Sequence, residues 1–249
     1  MSFLDFIINV LFPSSCAVCG RAVKTGVSVC GDCLAGFRRE MFLRCPKCGN
    51  TADKCQCVTD SGDLESKTEI SGKRTLSLTF YLNSYKRGDD RVTEKMIFAL
   101  KENGVLFDFF ADIISDAIKR LYDSAGEDIC DWILTYPPRS SAKLIDIGYD
   151  QCGEIVKRVS ERLGIAWAET LKREGGAEQK QLNLETRAKN ADQTLILIRK
   201  NVKNGGKYIL FDDILTTGAT IASAERNLYF GGAAEVFPVT IAKNLYYKN

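Results

Sequence analysis

Two adjacent acids, followed by a turn rich in threonine and glycine, offer the clearest chemistry in this chain. Asp212 and Asp213 follow the apolar run 208–211, and the turn after them opens a predicted helix. The carboxylates can accept hydrogen bonds from two neighbouring hydroxyls of a ribose, and backbone N–H groups with threonine hydroxyls can surround a phosphate at the positive end of a helix dipole. The residues of this turn are Thr216, Thr217, Gly218, Ala219 and Thr220. The segment therefore predicts a site for a phosphorylated sugar, with the two acids as its candidate catalytic residues.

The threonine-rich turn distinguishes this segment from commoner uses of paired acids. Two acids after a strand also occur as metal sites, phospho-acceptor pairs and helix N-caps. The sequence Thr-Thr-Gly-Ala-Thr at a fixed offset favours a phosphate loop over a structural turn. The segment resembles the 5-phosphoribosyl-1-pyrophosphate (PRPP) motif of type I phosphoribosyltransferases. This resemblance implies that the acids hold the ribose and that the turn holds its 5′-phosphate.

The composition excludes several kinds of catalysis. The chain has 249 residues and no histidine, which excludes Ser-His and Cys-His nucleophiles and His-ligated metals. Phosphoribosyl transfer can still operate, because it mainly needs Mg²⁺ and positive groups near the departing pyrophosphate. We therefore expect Mg²⁺ as a cofactor if the chain is a catalyst. The formal net charge of +2 excludes a globally cationic nucleic-acid binder.

A ladder of cysteines near the start of the chain predicts metal binding. Eight of the ten cysteines take part: Cys16, Cys19, Cys30, Cys33, Cys45, Cys48, Cys55 and Cys57. Four thiolates complete a tetrahedral Zn²⁺ site, so the ladder predicts two structural zinc ions. Sequential grouping of the first four and the last four is simplest, and interleaved grouping stays open. Disulfides fit poorly with a chain that lacks a secretion signal, and iron–sulfur clusters use other spacings.

Three arginines are candidate ligands for the anionic groups of the substrate. Arg139 follows the predicted strand 132–135, and its side chain suits pyrophosphate. Arg173 and Arg187 lie in the stretch 171–207, which carries nine Lys or Arg residues against four Asp or Glu residues. This stretch contains a predicted flap over the substrate. A solvated basic surface, or a track for a nucleic-acid backbone, is the alternative.

Alternating strands and helices must position these residues. Strands are predicted at 76–81, 132–135, 195–198, 208–211 and 236–241, and helices at 91–101, 106–122, 151–163 and 221–230. This order predicts an α/β fold with a mostly parallel sheet covered on both faces and a ligand at the carboxyl ends of the strands. Cys130 and Cys152 are predicted to be buried apolar residues.

The division of the chain follows from these elements. An N-terminal helix and the zinc ribbon are predicted within residues 1–60, a linker at 61–75 and the α/β domain at 76–249. The apolar segment 3–12 lacks a basic start and a cleavage site, so a short packed helix is favoured over a signal peptide. No window of about 18 apolar residues exists, so no membrane span is expected and a cytoplasmic location is predicted.

Motifs along nearly the whole chain resemble the ComF family, whose members are phosphoribosyltransferase-like and carry an N-terminal double zinc ribbon. The motifs are the cysteine ladder, Ala99-Leu100-Lys101, Pro138-Arg139, Gly148-Tyr149-Asp150-Gln151, Arg173, Gln179, Arg187-x-x-Asn190 and the acid pair with its turn. The resemblance implies a type I phosphoribosyltransferase-like fold and binding of PRPP or a related ribose phosphate. It also implies a role in DNA uptake during natural transformation, with single-stranded DNA and a DNA-uptake helicase as candidate partners. An active phosphoribosyltransferase of nucleotide metabolism is one alternative, and a zinc-dependent scaffold with a vestigial pocket is another.

Overall fold

The computed structural model describes residues 14–45, 48–55, 75–81, 91–126, 128–173 and 195–244. The predicted helix at 3–12, Cys57, most of the linker and Arg187 lie outside these residues.

A parallel sheet forms the centre of the structure. Its strands, and those of a small second sheet, are β1 (Leu76–Tyr81), β2 (Trp132–Thr135), β3 (Ala166–Trp167), β4 (Leu171–Arg173), β5 (Leu195–Leu197), β6 (Lys207–Leu215) and β7 (Glu235–Asn244). The main sheet has the order β1-β7-β6-β2-β3, and every neighbouring pair in it is parallel. The strands β4 and β5 pair antiparallel outside this sheet.

Helices cover the sheet and connect its strands. They are α1 (Gly31–Met41), α2 (Val92–Asn103), α3 (Phe107–Ala125), α4 (Ser141–Ile147), α5 (Gln151–Leu163) and α6 (Ala219–Phe230). Among the helices of the described residues, none is long and apolar enough to cross a membrane.

Strand β6 shows why both faces of the sheet are covered. Ile209 and Phe211 belong to a core shared with α2, α3 and α5, whereas Tyr208 and Leu210 belong to a second core with α6. Successive side chains of a strand point to opposite faces, so a strand buried on both sides must be apolar throughout. The predicted α/β fold with a mostly parallel sheet is therefore confirmed.

The order of the strands creates a crevice between β2 and β6. In chain order, β3 pairs with one edge of β2, and β6 later pairs with the other edge. In open parallel sheets, such a reversal of direction leaves a gap at the carboxyl ends of the two central strands, and ligands bind there.

The cysteine-rich segment packs against the sheet domain through aromatic rings and a backbone hydrogen bond, among other contacts. Phe37 of α1 is fully buried and meets the rings of Phe109 and Phe110 of α3 edge-on. Lys243 of β7 is buried, and its Nζ donates to the backbone carbonyl of Cys55 at 3.1 Å. The first and last parts of the described chain therefore hold one another in place.

The two isolated cysteines differ. Cys152 is buried as predicted, but the prediction for Cys130 is wrong, because that side chain is exposed. Cys130 lies in the turn before β2, where its backbone N–H donates to Oδ1 of Asp128 at 2.9 Å. A polar turn, rather than an apolar core, surrounds it.

Candidate functional site

The acid pair lies on a part of β6 that extends beyond β2. The last pairing of β2 joins Thr135 to Leu210, whereas β6 continues along β7 and pairs Asp212 with Thr240. The strand was predicted to end at residue 211 and instead runs to Leu215. Both acids therefore border the crevice that the end of β2 leaves open.

Asp213 is held by a cation and an amide from two helices. Its Oδ2 accepts a hydrogen bond from Nζ of Lys101 at 2.9 Å and another from Nε2 of Gln151 at 2.9 Å. Its Oδ1 accepts the N–H of Ile214 at 2.7 Å. Burial favours a raised pKa for Asp213, but the charge of Lys101 and these hydrogen bonds outweigh it and leave the pKa below its usual value. Asp213 is therefore ionised at neutral pH.

The pKa of Asp212 is shifted in the opposite direction to that of Asp213. Its Oδ1 accepts the N–H of Asp213 at 2.9 Å, and the sulfur of Cys152 lies 3.9 Å from the same oxygen. Burial, together with the negative charge of Asp213, raises the pKa of Asp212 to about 8. Near neutral pH the pair therefore carries mainly one negative charge, on Asp213.

The start of α5 joins the two sides of the crevice. Asp150 is the N-cap of α5, and its Oδ1 accepts the N–H groups of Cys152 and Gly153 at 3.0 and 3.2 Å. Its Oδ2 accepts the N–H of Arg139 at 2.7 Å. One carboxylate thus orders both the helix and the loop after β2, which fixes Gln151 against Asp213.

Two of the three predicted arginines, Arg139 and Arg173, are described and lie on the β2 side of this crevice. Nε of Arg173 donates to the carbonyl of Pro138 at 2.9 Å, and its guanidinium lies near the carboxyl groups of Asp212 and Asp150. Nη1 of Arg139 is buried and has no hydrogen-bond partner among the described residues. The structure therefore brings Arg139 and Arg173 to the end of β2.

The threonine-rich turn connects β6 to α6. Gly218 is the N-cap of α6 at φ 79°, a conformation that favours glycine, and it provides no capping side chain. The hydroxyl of Thr217 accepts the N–H of Ala219 at 3.3 Å, and Thr216 is exposed. The positive end of the α6 dipole therefore lies directly after the acid pair, as predicted.

Three residues that position the acids were not among the predicted site residues. Lys101 and Gln151 occur in recognised sequence motifs but contact Asp213 only in the folded chain, and Asp150 acts through its hydrogen bonds. An acid directly before a predicted helix indicates an N-cap, so the sequence could have predicted the capping role of Asp150. Nothing local indicates that Lys101 meets Asp213.

Seven of the nine described cysteines form two groups that follow sequence order. The sulfurs of Cys16, Cys19, Cys30 and Cys33 lie within 4.8 Å of one another, and so do those of Cys45, Cys48 and Cys55. The Sγ atoms of Cys19 and Cys30 lie 3.7 Å apart, and those of Cys48 and Cys55 lie 3.8 Å apart. A tetrahedron with Zn–S bonds of about 2.3 Å has sulfurs about 3.8 Å apart, so both groups fit zinc. Zinc in the first group would be structural, because four thiolates leave no open position, whereas the second group has three described thiolates.

Arg21 adds a cation to the first cysteine group. Its Nε lies 3.4 Å from the sulfur of Cys19, and its Nη2 lies 3.5 Å from that of Cys30. Its Nη1 pairs with Asp32 at 2.7 Å. Four thiolates around Zn²⁺ carry a net charge of about −2, which a neighbouring guanidinium offsets.

Known proteins resemble both the cysteine-rich segment and the chain as a whole. Residues 7–62 match the family model of the double zinc ribbon domain. Over 243 residues the chain is 23% identical to the competence protein ComFC of Streptococcus pneumoniae (strain ATCC BAA-255 / R6), covering 89% of this chain and 96% of that protein. Both matches agree with the resemblance to the ComF family that the sequence motifs indicate.

Two enzymes are among the solved structures that match part of this chain. An adenine phosphoribosyltransferase is 15% identical with a TM-score of 0.38, covering 59% of this chain and 75% of that one. An allosteric regulatory enzyme of purine biosynthesis is 22% identical with a TM-score of 0.32 over 49% of this chain. The chain spans about a quarter (24%) of that enzyme.

Proposed function

We propose that this chain binds PRPP or a related ribose 5-phosphate in the crevice between β2 and β6. The observation that carries the proposal is the succession of the acid pair and the turn 216–220 at the start of α6, whose N-cap Gly218 has no capping side chain. The acids would accept hydrogen bonds from the ribose hydroxyls, and the turn would surround the 5′-phosphate. Arg139 and Arg173, on the β2 side, would face the pyrophosphate.

The charges around the crevice support an anionic sugar as the ligand. Lys101 offsets the charge of Asp213, and Asp212 is mostly protonated near neutral pH, so the acids oppose an approaching phosphate less than two free carboxylates would. A carboxylate has about four acceptor sites, so Asp213 can accept a further hydrogen bond besides its three described partners. Asp212, on losing its proton, would hold Mg²⁺, which prefers carboxylate and phosphate oxygens and would supply positive charge to the departing pyrophosphate.

The experiment that tests the proposal is calorimetric titration of the zinc-loaded protein with PRPP, with and without Mg²⁺. Asp212→Asn/Asp213→Asn should abolish binding, because each amide keeps only one acceptor oxygen and carries no negative charge for Mg²⁺. The matched control is Asp116→Asn/Glu161→Gln, which also removes two charges but at exposed positions on α3 and α5. No heat of binding with the wild-type protein would reject the proposal and favour a zinc-dependent scaffold with a vestigial pocket.

In the cell, we propose a role in DNA uptake during natural transformation. The proposal is supported by the similarity to a competence protein over 89% of the chain. Its candidate partners are single-stranded DNA and a DNA-uptake helicase. In a naturally transformable host, deletion should lower transformation, and the doubly substituted Asp212→Asn/Asp213→Asn protein should fail to restore it. Unchanged transformation after deletion would contradict this role.

A second candidate is an active phosphoribosyltransferase. It is favoured by the buried Nη1 of Arg139, which has no hydrogen-bond partner in the described part of the chain and lies on the side proposed for pyrophosphate. Release of pyrophosphate from PRPP in the presence of nucleobases or amines would establish turnover, and Arg139→Ala should then slow it. Measurable PRPP binding without pyrophosphate release would leave binding as the function.

A further inference from the structure

The cap of helix α2 comes from the cysteine-rich segment. Glu40, in the last turn of α1, accepts the N–H of Val92 on Oε1 and the N–H of Thr93 on Oε2, both at 2.9 Å. The N-cap residue itself, Arg91, makes no capping hydrogen bond through its side chain. A carboxylate at this place satisfies two backbone donors and meets the positive end of the helix dipole. The start of α2 is therefore fixed by a residue from another part of the fold.

The first cysteine group determines where α1 lies. The helix begins directly after Cys30, which is its N-cap, and Cys33 lies in its first turn. Zinc bound by these thiolates would therefore fix the first turn of the helix whose last turn presents Glu40.

Helices α1 and α2 also touch directly. A Cβ added to Gly36 would lie 2.7 Å from Cγ2 of Val92, so glycine lets the backbone of α1 lie close against the Val92 side chain. A displacement of α1 would therefore shift the start of α2, because this contact and the two hydrogen bonds of Glu40 connect the two helices.

The other end of α2 supplies Lys101 to the acid pair. Val92 and Lys101 are separated by about 14 Å along the helix, since each residue adds about 1.5 Å. The hydroxyl of Tyr149 donates to the carbonyl of Lys101 at 3.0 Å, and Nζ of Lys101 reaches Asp213 at 2.9 Å. Because a hydrogen-bonded helix moves largely as one body, a shift at its start alters the reach of Lys101.

We infer that Glu40 is a positioning residue through which the zinc-bound first cysteine group places Lys101 beside Asp213. The zinc ribbon then sets the geometry of the sugar-phosphate site without touching the ligand. The effect on ligand binding rests on the proposed function, whereas the effect on Lys101 does not.

The decisive measurement is the ¹⁵N spectrum of the lysine ammonium groups in the zinc-loaded protein, with the Lys101 signal assigned by Lys101→Arg. In the wild type this signal should be separated from those of exposed lysines and exchange its protons slowly. Glu40→Ala should bring it to the exposed position and raise its proton exchange about tenfold. Glu40→Gln, which keeps one acceptor oxygen, should give an intermediate result.

The controls separate positioning from general stability. Asp53→Asn removes an exposed acid from the same cysteine-rich segment and should leave the Lys101 signal unchanged. Zinc content is measured for every variant, so that a change in Glu40→Ala with full zinc content is assigned to the cap. An unchanged Lys101 signal in folded Glu40→Ala would overturn the inference; if Glu40→Ala does not fold, Glu40→Gln decides in the same way.

Ligand binding provides the second readout. PRPP should bind the zinc-loaded Glu40→Ala protein about tenfold more weakly than the wild type, and Glu40→Gln should lie between them. A wild-type protein that binds no PRPP would reject the proposed function, but the ammonium spectrum would still decide the role of Glu40. Equal PRPP affinity in wild type and Glu40→Ala would overturn the effect on binding.

Discussion

The ammonium of Lys101 lies 2.9 Å from Oδ2 of Asp213 and joins helix α2 to the carboxyl end of β6. The two side chains are 35% and 13% exposed, so the pair is only partly screened by solvent. Lys101 gives Asp213 a positive partner that Asp212 does not share to the same extent, so the pKa values of the two acids lie far apart.

Removal of Lys101 should cost stability because it leaves a buried carboxylate without its cation. We expect Lys101→Met to lower the free energy of unfolding by about 1–3 kcal/mol, less than for a fully buried pair. Adding Asp213→Asn should recover part of this loss, with a coupling energy of about 1 kcal/mol in urea unfolding. Additive effects of the two substitutions would show that the pair makes no net contribution.

The unusual pKa of Asp212 predicts a dependence of stability on pH. The folded value is about 8, whereas an unfolded Asp titrates near 4, so between these values the folded state holds a proton that the unfolded state releases. The contribution of Asp212 to stability is therefore present at low pH and is lost as the pH rises through 8. Urea unfolding of the zinc-loaded protein between pH 6.5 and 8.5 measures how the free energy of unfolding declines with pH. Asp212→Asn should make this decline less steep, and Asp116→Asn should leave it unchanged. Parallel curves for wild type and Asp212→Asn would refute the raised pKa.

Zinc content tests the second cysteine group, because its fourth predicted ligand lies outside the described residues. We expect about two Zn²⁺ per chain in the wild type and about one in Cys57→Ser, because three thiolates do not close a structural site. Cys130→Ser removes an exposed cysteine far from both groups in sequence and should leave the zinc content unchanged. Full zinc content in Cys57→Ser would remove Cys57 from the ligand set.

Arg21 should slow the loss of zinc from the first cysteine group. Its hydrogen bonds to the sulfurs of Cys19 and Cys30 offset thiolate charge, and outer contacts of this kind typically change metal affinity about 10–100-fold. Arg21→Ala should therefore release one of two zinc ions about tenfold faster to a chromogenic chelator. Arg38→Ala, an exposed arginine of α1, serves as the control. Equal release rates for Arg21→Ala and the control would limit Arg21 to its ion pair with Asp32.

Gly153 tests the contact between α5 and the loop after β2. A Cβ at this position would lie 2.7 Å from the hydroxyl oxygen of Tyr136, so Gly153→Ala must displace the ring that precedes Pro137-Pro138-Arg139. We expect a net destabilisation of about 1–2 kcal/mol, since crowding outweighs the better helix propensity of alanine. Weaker PRPP binding should accompany it, because Arg139 moves with the loop. Gly31→Ala, in the first turn of α1 with no atom within 4 Å of an added Cβ, should be neutral or stabilising.

Local sequence patterns predicted the parts of the site that are continuous in the chain. Apolar runs indicated β2, β6 and β7, and the acid pair with its turn lies where a strand meets a helix. The end of β6 was predicted too early because adjacent aspartates disfavour strands, whereas pairing with β7 continues as far as Leu215.

The contacts that join distant segments were beyond sequence reasoning. The predicted strand at 195–198 forms as β5 but pairs antiparallel with β4 instead of entering the main sheet. Lys101 reaches Asp213 and Glu40 reaches Val92 only because α2 crosses between the cysteine-rich segment and the sheet. No spacing within one sequence window encodes such tertiary neighbours.

The burial of Lys243 against the carbonyl of Cys55 has a consequence for biosynthesis. The ribosome makes the cysteine ladder early, yet both this tie and the pairing of β1 with β7 await the synthesis of residues 235–244. A nascent chain can load its metal ions while its first strand still lacks a neighbour in the main sheet, so that strand is exposed to chaperones and aggregation until translation passes β7. Acquisition of metal and completion of the fold would thus be separate events in time.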